Sequence, residues 1–125
     1  MDAKAIDQLL ESQRQYFLSG ATLPVEFRIA MLQRLRETVR RREPDISKAL
    51  TADLGKSGYE GYMCEIGLVL SELGYLIRHT RRFAKRRHVP TPLAQFAASS
   101  YLSPSPYGNV LIMSPWNYPL LLTLD

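Results

Sequence analysis

Thiol chemistry is almost absent from this chain: Cys64 is its single cysteine. One cysteine closes no internal disulfide, which fits a reducing compartment and makes the cytoplasm the expected location. Long apolar runs are missing as well. No stretch approaches the roughly 18 to 20 residues that span a bilayer, and "MDAKAIDQLLESQ" at the N-terminus lacks the apolar core of a secretory signal. Histidine is scarce, and His79 and His88 lie among arginines without ligand-spaced cysteines or carboxylates, so no metal site is expected. The glycines build no phosphate cradle. "GKS" at 55–57 has Leu50 where a P-loop needs its first glycine, and Gly55, Gly58 and Gly61 do not make GxGxxG.

Acidic residues also run out. Between Glu72 and Asp125 there is none, whereas residues 78–88, "RHTRRFAKRRH", hold six Lys and Arg. Residues 1–77 nearly balance at ten cations against eleven anions, so the net charge of +4 comes from that one cluster. Such a cluster is either a face for phosphate or a protein partner, or the solvated end of a helix, where cations complement the dipole.

What is present first reads as helix. Ile6, Leu9, Leu10, Gln13 and Phe17 share one face of an opening helix that Gly20 stops. Pro24 opens a second, with Val25, Ile29, Leu32, Leu35 or Arg36, and Val39 as its stripe and Arg40 to Arg42 in its last turn. Pro44 opens a third, with Ile46, Ala49, Leu50 and Leu54 inward and Gly55 as its stop. From Gly58 to Arg87 the spacing predicts one long helix with a seam of Met63, Ile66, Leu70, Leu73, Ile77, Thr80 and Ala84. Gly67 and Gly74 on that helix suggest close backbone approach. Cys64 beside the seam reads as a small buried hydrophobe, since no histidine is placed to activate it.

After Pro92 the pattern changes to short β-prone pieces broken by Pro and Gly. Ala98 to Ser103 reads as a strand, "SPYG" at 105–108 as a turn, and Val110 to Met113 as a second strand. "VLIM" is apolar at every position, which predicts burial on both faces, as in a parallel sheet. No companion strand of that kind is present, and "PLLLTLD" opens a helix without a stop, so the chain reads as the front end of a longer protein.

Between strand and helix lies "SPWNYP", 114–119. Pro115 and Pro119 each fix φ and stiffen the loop. Strand ends are where α/β sheets place ligands. The carboxamide of Asn117 offers two N–H donors with no charge, which suits a developing oxyanion; equally, Asn117 could cap the helix that follows.

"SPYGNVLIMSPWNYPLLLTLD" closely resembles the entry to the cofactor domain of NAD(P)-dependent aldehyde dehydrogenases, and the Tyr after Trp-Asn is most similar to their class 3 branch. The likeness continues upstream through residues 27–85, including "DLGKS" and the helix bearing Glu65, and so covers nearly the whole chain. It implies an α/β fold truncated here: a helical segment over 1–90, a strand within 97–104, and over 109–125 the first strand, Pro-Trp-Asn loop and helix start of a Rossmann-like cofactor domain. It implies oxidation of aldehydes to acids through a cysteine thioester, with NAD or NADP as cofactor. Asn117 matches the side-chain donor of the oxyanion hole; Ser114, Pro115 and Trp116 match backbone beside the ribose and nicotinamide; Tyr118, and more weakly Tyr62 or Met63, match aldehyde-lining positions. The family's nucleophilic cysteine and general-base glutamate would fall beyond residue 125, so the chain by itself is expected to be inactive, and Cys64 is not the nucleophile. The resemblance further implies an aldehyde as partner, no nucleic acid, and a homodimeric parent. Two alternatives stand beside it: a superfamily reductase of acyl thioesters or acyl phosphates, and a helical module that binds through 78–88.

Overall fold

A computed structural model describes residues 2–124. Its elements run α1 (Ala3–Leu18), α2 (Val25–Arg41), α3 (Glu43–Leu54), α4 (Gly58–Gly61), a π-helical turn (Tyr62–Ile66), α5 (Gly67–Phe83), β1 (Arg87–Val89), a 3-10 turn (Leu93–Gln95), β2 (Ser100–Leu102) and α6 (Leu121–Leu124).

The core gathers Val39 of α2, Leu50 of α3, Ile66 of the π turn, and Val69, Leu70 and Leu73 of α5. Leu120, Leu121 and Leu124 pack onto it from the far end of the chain. The helix boundaries follow local chemistry. Asp2 accepts from the Ala5 amide at 2.8 Å and caps α1, and Gly55 ends α3 in the left-handed region at φ 68, where a Cβ would be strained. The face expected on α1 is not used for the core: Ile6, Leu9 and Leu10 are exposed, and α1 is instead met by Asn109, whose Nδ2 donates to the Leu10 carbonyl at 3.1 Å. On α3, Leu50 is buried while Ala49 and Leu54 face out.

The long helix expected from Gly58 to Arg87 is interrupted. At Tyr62–Ile66 the ladder widens by one residue, and the Gly67 N–H donates to the Tyr62 carbonyl five positions back. The seam shifts with it. Met63 is turned to solvent, whereas Glu65 and Val69, which were not on the seam, are fully buried. The helix also stops at Phe83, and Arg87–Val89 becomes a strand.

That strand pairs antiparallel with β2, Arg87 opposite Leu102 and Val89 opposite Ser100. The strand expected within 97–104 is therefore present but shorter, in an antiparallel ribbon. Val110 to Met113 forms no strand and is exposed along its length. The physical reason is that a ladder needs a partner, and no described strand pairs with this segment.

Candidate functional site

Lys56 fills the turn between α3 and α4. Its backbone carbonyl accepts from Thr51 Oγ1 at 2.7 Å, and Ser57 begins the next helix by accepting from the Glu60 amide at 3.1 Å. These local bonds fix the turn so that the lysine side chain points inward, where it is only 8% exposed. The π turn delivers Glu65 to the same place with no exposure at all.

Lys56 Nζ donates to Glu65 Oε1 at 2.5 Å and to the backbone carbonyl of Asn117 at 2.9 Å. The ammonium also lies 4.3 Å from the centroid of the Tyr118 ring, a cation–π distance. The other carboxylate oxygen of Glu65 accepts from the amides of Leu120 and Leu121, at 2.9 and 3.4 Å. Two buried charges thus pair with each other, and each makes further hydrogen bonds to the backbone of one loop. Such a pair is tolerable in low dielectric only when paired and further hydrogen-bonded, as here.

On the outer side of the loop, Thr123 Oγ1 donates to the Pro119 carbonyl at 2.6 Å. Its one proton is committed there, so the 2.7 Å contact with Ser114 Oγ has the serine as donor. Both ends of 114–123 are thereby tied to each other.

Ser114, Pro115, Trp116, Asn117 and Tyr118 sit together on this loop, with Trp116 87% exposed. The Asn117 carboxamide makes no hydrogen bond among the described residues. Glu65 takes the first amides of α6, so capping by Asn117 is not how that helix starts. Tyr62 and Met63 lie on the π turn and are half exposed, and that turn packs against α6. Cys64 is partly buried beside them. A separate cleft lined by Thr22, Leu23, Arg28, Phe83 and Pro104 holds none of these residues.

Of the basic cluster, Arg81 forks onto Glu26 of α2, with its Nε and Nη2 donating at 3.1 and 2.6 Å. Arg86 lies 4.8 Å from the Tyr101 ring centroid. Part of the cluster thus has partners within the chain, and the rest is in solvent.

Lys56 and Glu65 are the site residues that the sequence reading passed over. "DLGKS" and the helix bearing Glu65 enter the family resemblance, but without a role for either side chain. A usable signal was present: Glu65 adjoins Ile66 and stands four residues before Val69, and a carboxylate on an apolar face calls for a buried cation.

Residues 1–125 match the aldehyde dehydrogenase family. The chain belongs to that family. It is 35% identical over 120 residues to 4,4'-diaponeurosporen-aldehyde dehydrogenase of Staphylococcus aureus, covering 96% of this chain and 26% of that protein. It is 39% identical over 115 residues to aldehyde dehydrogenase family 3 member B1 of Bos taurus, covering 92% and 25%. A 38% identical relative from Canis lupus familiaris, covering 96% of this chain and 26% of that protein, is described as aldehyde dehydrogenase, dimeric NADP-preferring. A solved structure of Staphylococcus aureus AldH in a substrate-bound state matches 99% of this chain and 27% of its own, with a TM-score of 0.93 at 35% identity. The class 3 likeness of the Pro-Trp-Asn-Tyr-Pro loop agrees with the family 3 relatives. This aldehyde dehydrogenase chain spans about a quarter of the length of these relatives. Its helices with a small sheet match part of an aldehyde dehydrogenase and fit the α/β class.

Proposed function

We propose that this chain is the front part of an oxidoreductase that oxidises aldehydes to carboxylic acids with NAD(P)+, and that Asn117 donates its amide N–H to the oxyanion formed there. The observation that carries the reading is the division of labour at Asn117. Its backbone carbonyl is pinned by a buried lysine, while its carboxamide is left unbonded on the exposed side. A donor held in place yet unspent is what transition-state stabilisation requires.

The residues fit the cofactor that the family implies. The backbone groups of Ser114, Pro115 and Trp116 make no hydrogen bond within the described residues, so that edge is open to a ribose or nicotinamide. NAD(P)+ would supply the hydride acceptor. The nucleophilic cysteine of a thioester route and its general base would come from outside residues 1–125, and Cys64, on the π turn, is not assigned that role. Tyr118 is the aromatic proposed to line the aldehyde path, with Tyr62 or Met63 from the π turn. The overlap in relatives with a protein described as dimeric and NADP-preferring supports a homodimeric parent and leaves NADP as well as NAD in play. A cytoplasmic location belongs to the same reading and is supported by the single unpaired cysteine.

In the full-length enzyme carrying this sequence, Asn117→Ala should lower kcat by roughly 10² to 10³, about 3 to 4 kcal/mol of transition-state stabilisation. The KM for cofactor should hold. Asn117→Asp should be at least as damaging, because a carboxylate places negative charge where the oxyanion forms. Steady-state kinetics on both variants decide it, and a fully active Asp variant sinks the assignment.

A further inference from the structure

We infer that Lys56 is a positioning residue for Asn117, acting through the Asn117 carbonyl, with Glu65 orienting the lysine. The inference rests on the proposed role of the Asn117 side chain.

Three observations converge. First, Lys56 Nζ bridges two chain segments: it is 2.5 Å from Glu65 Oε1 and 2.9 Å from the Asn117 carbonyl oxygen. Second, Glu65 holds the backbone three and four residues further on, at Leu120 and Leu121. The loop is therefore gripped on both sides of Tyr118 and Pro119 by one ion pair. Third, Pro115 and Pro119 fix φ at two positions of the same loop. With the carbonyl pinned and neighbouring torsions restricted, the Cα–Cβ direction of Asn117 is set, and its amide inherits that aim.

The alternative is a pair that merely holds the fold together. A buried ion pair is a poor device for that purpose, since well-packed apolar residues of similar volume serve as well or better. An apolar pair could fill the space but could not hold a carbonyl. A second N–H of Lys56 is spent on the backbone carbonyl of Asn117, whose own carboxamide makes no hydrogen bond among the described residues. Misplacing a catalytic group by about 1 Å costs on the order of 10²-fold in rate, so a device that holds this carbonyl has a function.

The test uses the full-length enzyme with hexanal as the aldehyde probe and NAD+ or NADP+ as acceptor. Lys56→Met removes the donor but leaves Glu65 charged and buried. Lys56→Met/Glu65→Gln removes the stranded charge while keeping an oxygen for the Leu120 and Leu121 amides. Either folded variant should lose roughly 10- to 100-fold in kcat, with the KM for cofactor within about twofold. In an Asn117→Ala background, adding Lys56→Met should cost less than about threefold further, because nothing remains to be aimed. Equal fold-losses in the two backgrounds would overturn the inference, as would unchanged kcat in the charge-neutral double variant. If neither variant folds, the pair holds the whole structure and the positioning role is likewise overturned. Full activity of Asn117→Ala would be a different result: it removes the proposed function first, and this inference with it.

Discussion

The two ends of the loop 114–119 belong to opposite regimes of the molecule. Behind it, the π turn, α5 and α6 enclose Glu65, Ile66, Val69 and Leu73 at essentially no exposure. Ahead of it, Val110, Leu111, Ile112 and Met113 are 61 to 85% exposed although every one is apolar. Hydrophobic content alone does not decide burial. The helices satisfy their backbone internally and need only a face to pack, whereas an extended segment also needs a neighbour for its N–H and C=O groups. Where that neighbour is lacking, the most apolar tetrapeptide of the chain lies open.

That contrast can be broken at its firm side first. Glu65→Ala strands Lys56 in the interior and should cost about 3 to 5 kcal/mol, the range for removing one partner of a buried pair. Amide hydrogen exchange would report it, with Leu120 and Leu121 losing protection before the α2–α5 core does. A loss under about 1 kcal/mol would mean that solvent already reaches the pair.

Gly67→Ala probes the junction. A Cβ there would stand 3.0 Å from the Tyr62 carbonyl oxygen and 3.2 Å from its ring, too close for both to stay put. The expected destabilisation is about 1 to 3 kcal/mol, as for overpacking elsewhere, measured as a shift in the urea midpoint. A stabilised variant would show that the π turn relaxes to a regular helix at no cost.

At the open side, Leu111→Ser should change stability by no more than about 0.5 kcal/mol, because the side chain is already in water. Solubility of residues 1–125 expressed alone should nevertheless rise, since an exposed apolar edge invites association. Light scattering against concentration checks this, and an unchanged aggregation threshold would point to another sticky surface.

How much of this was legible beforehand follows from which forces are local. The ends of α1, α2 and α3 were readable because Gly20, Pro24, Pro44 and Gly55 act on their own backbone. The loop was readable because Pro115, Asn117 and Pro119 are distinctive together. The π turn was not, since an extra residue per turn leaves a three-four spacing almost intact until Met63 is found outside and Glu65 inside. The Lys56–Asn117 bond was not either, because its partners are 61 positions apart and one of them is a carbonyl, which every residue has. Val110 to Met113 misled for the converse reason: its pattern describes the strand that partners would make of it.

The grip on the loop also has an order in time. Lys56 and Glu65 are nine positions apart, so they can meet as soon as their own hairpin of helix has formed, long before the far segment is made. Bringing Asn117 in closes a span of 61, an entropic cost about 2 kcal/mol larger than closing nine. In synthesis from the N-terminus, Lys56 and Glu65 are made before the loop that they hold. The charged pair is thus a template waiting for its own chain, and the residue proposed to meet the substrate is the one whose arrival completes it.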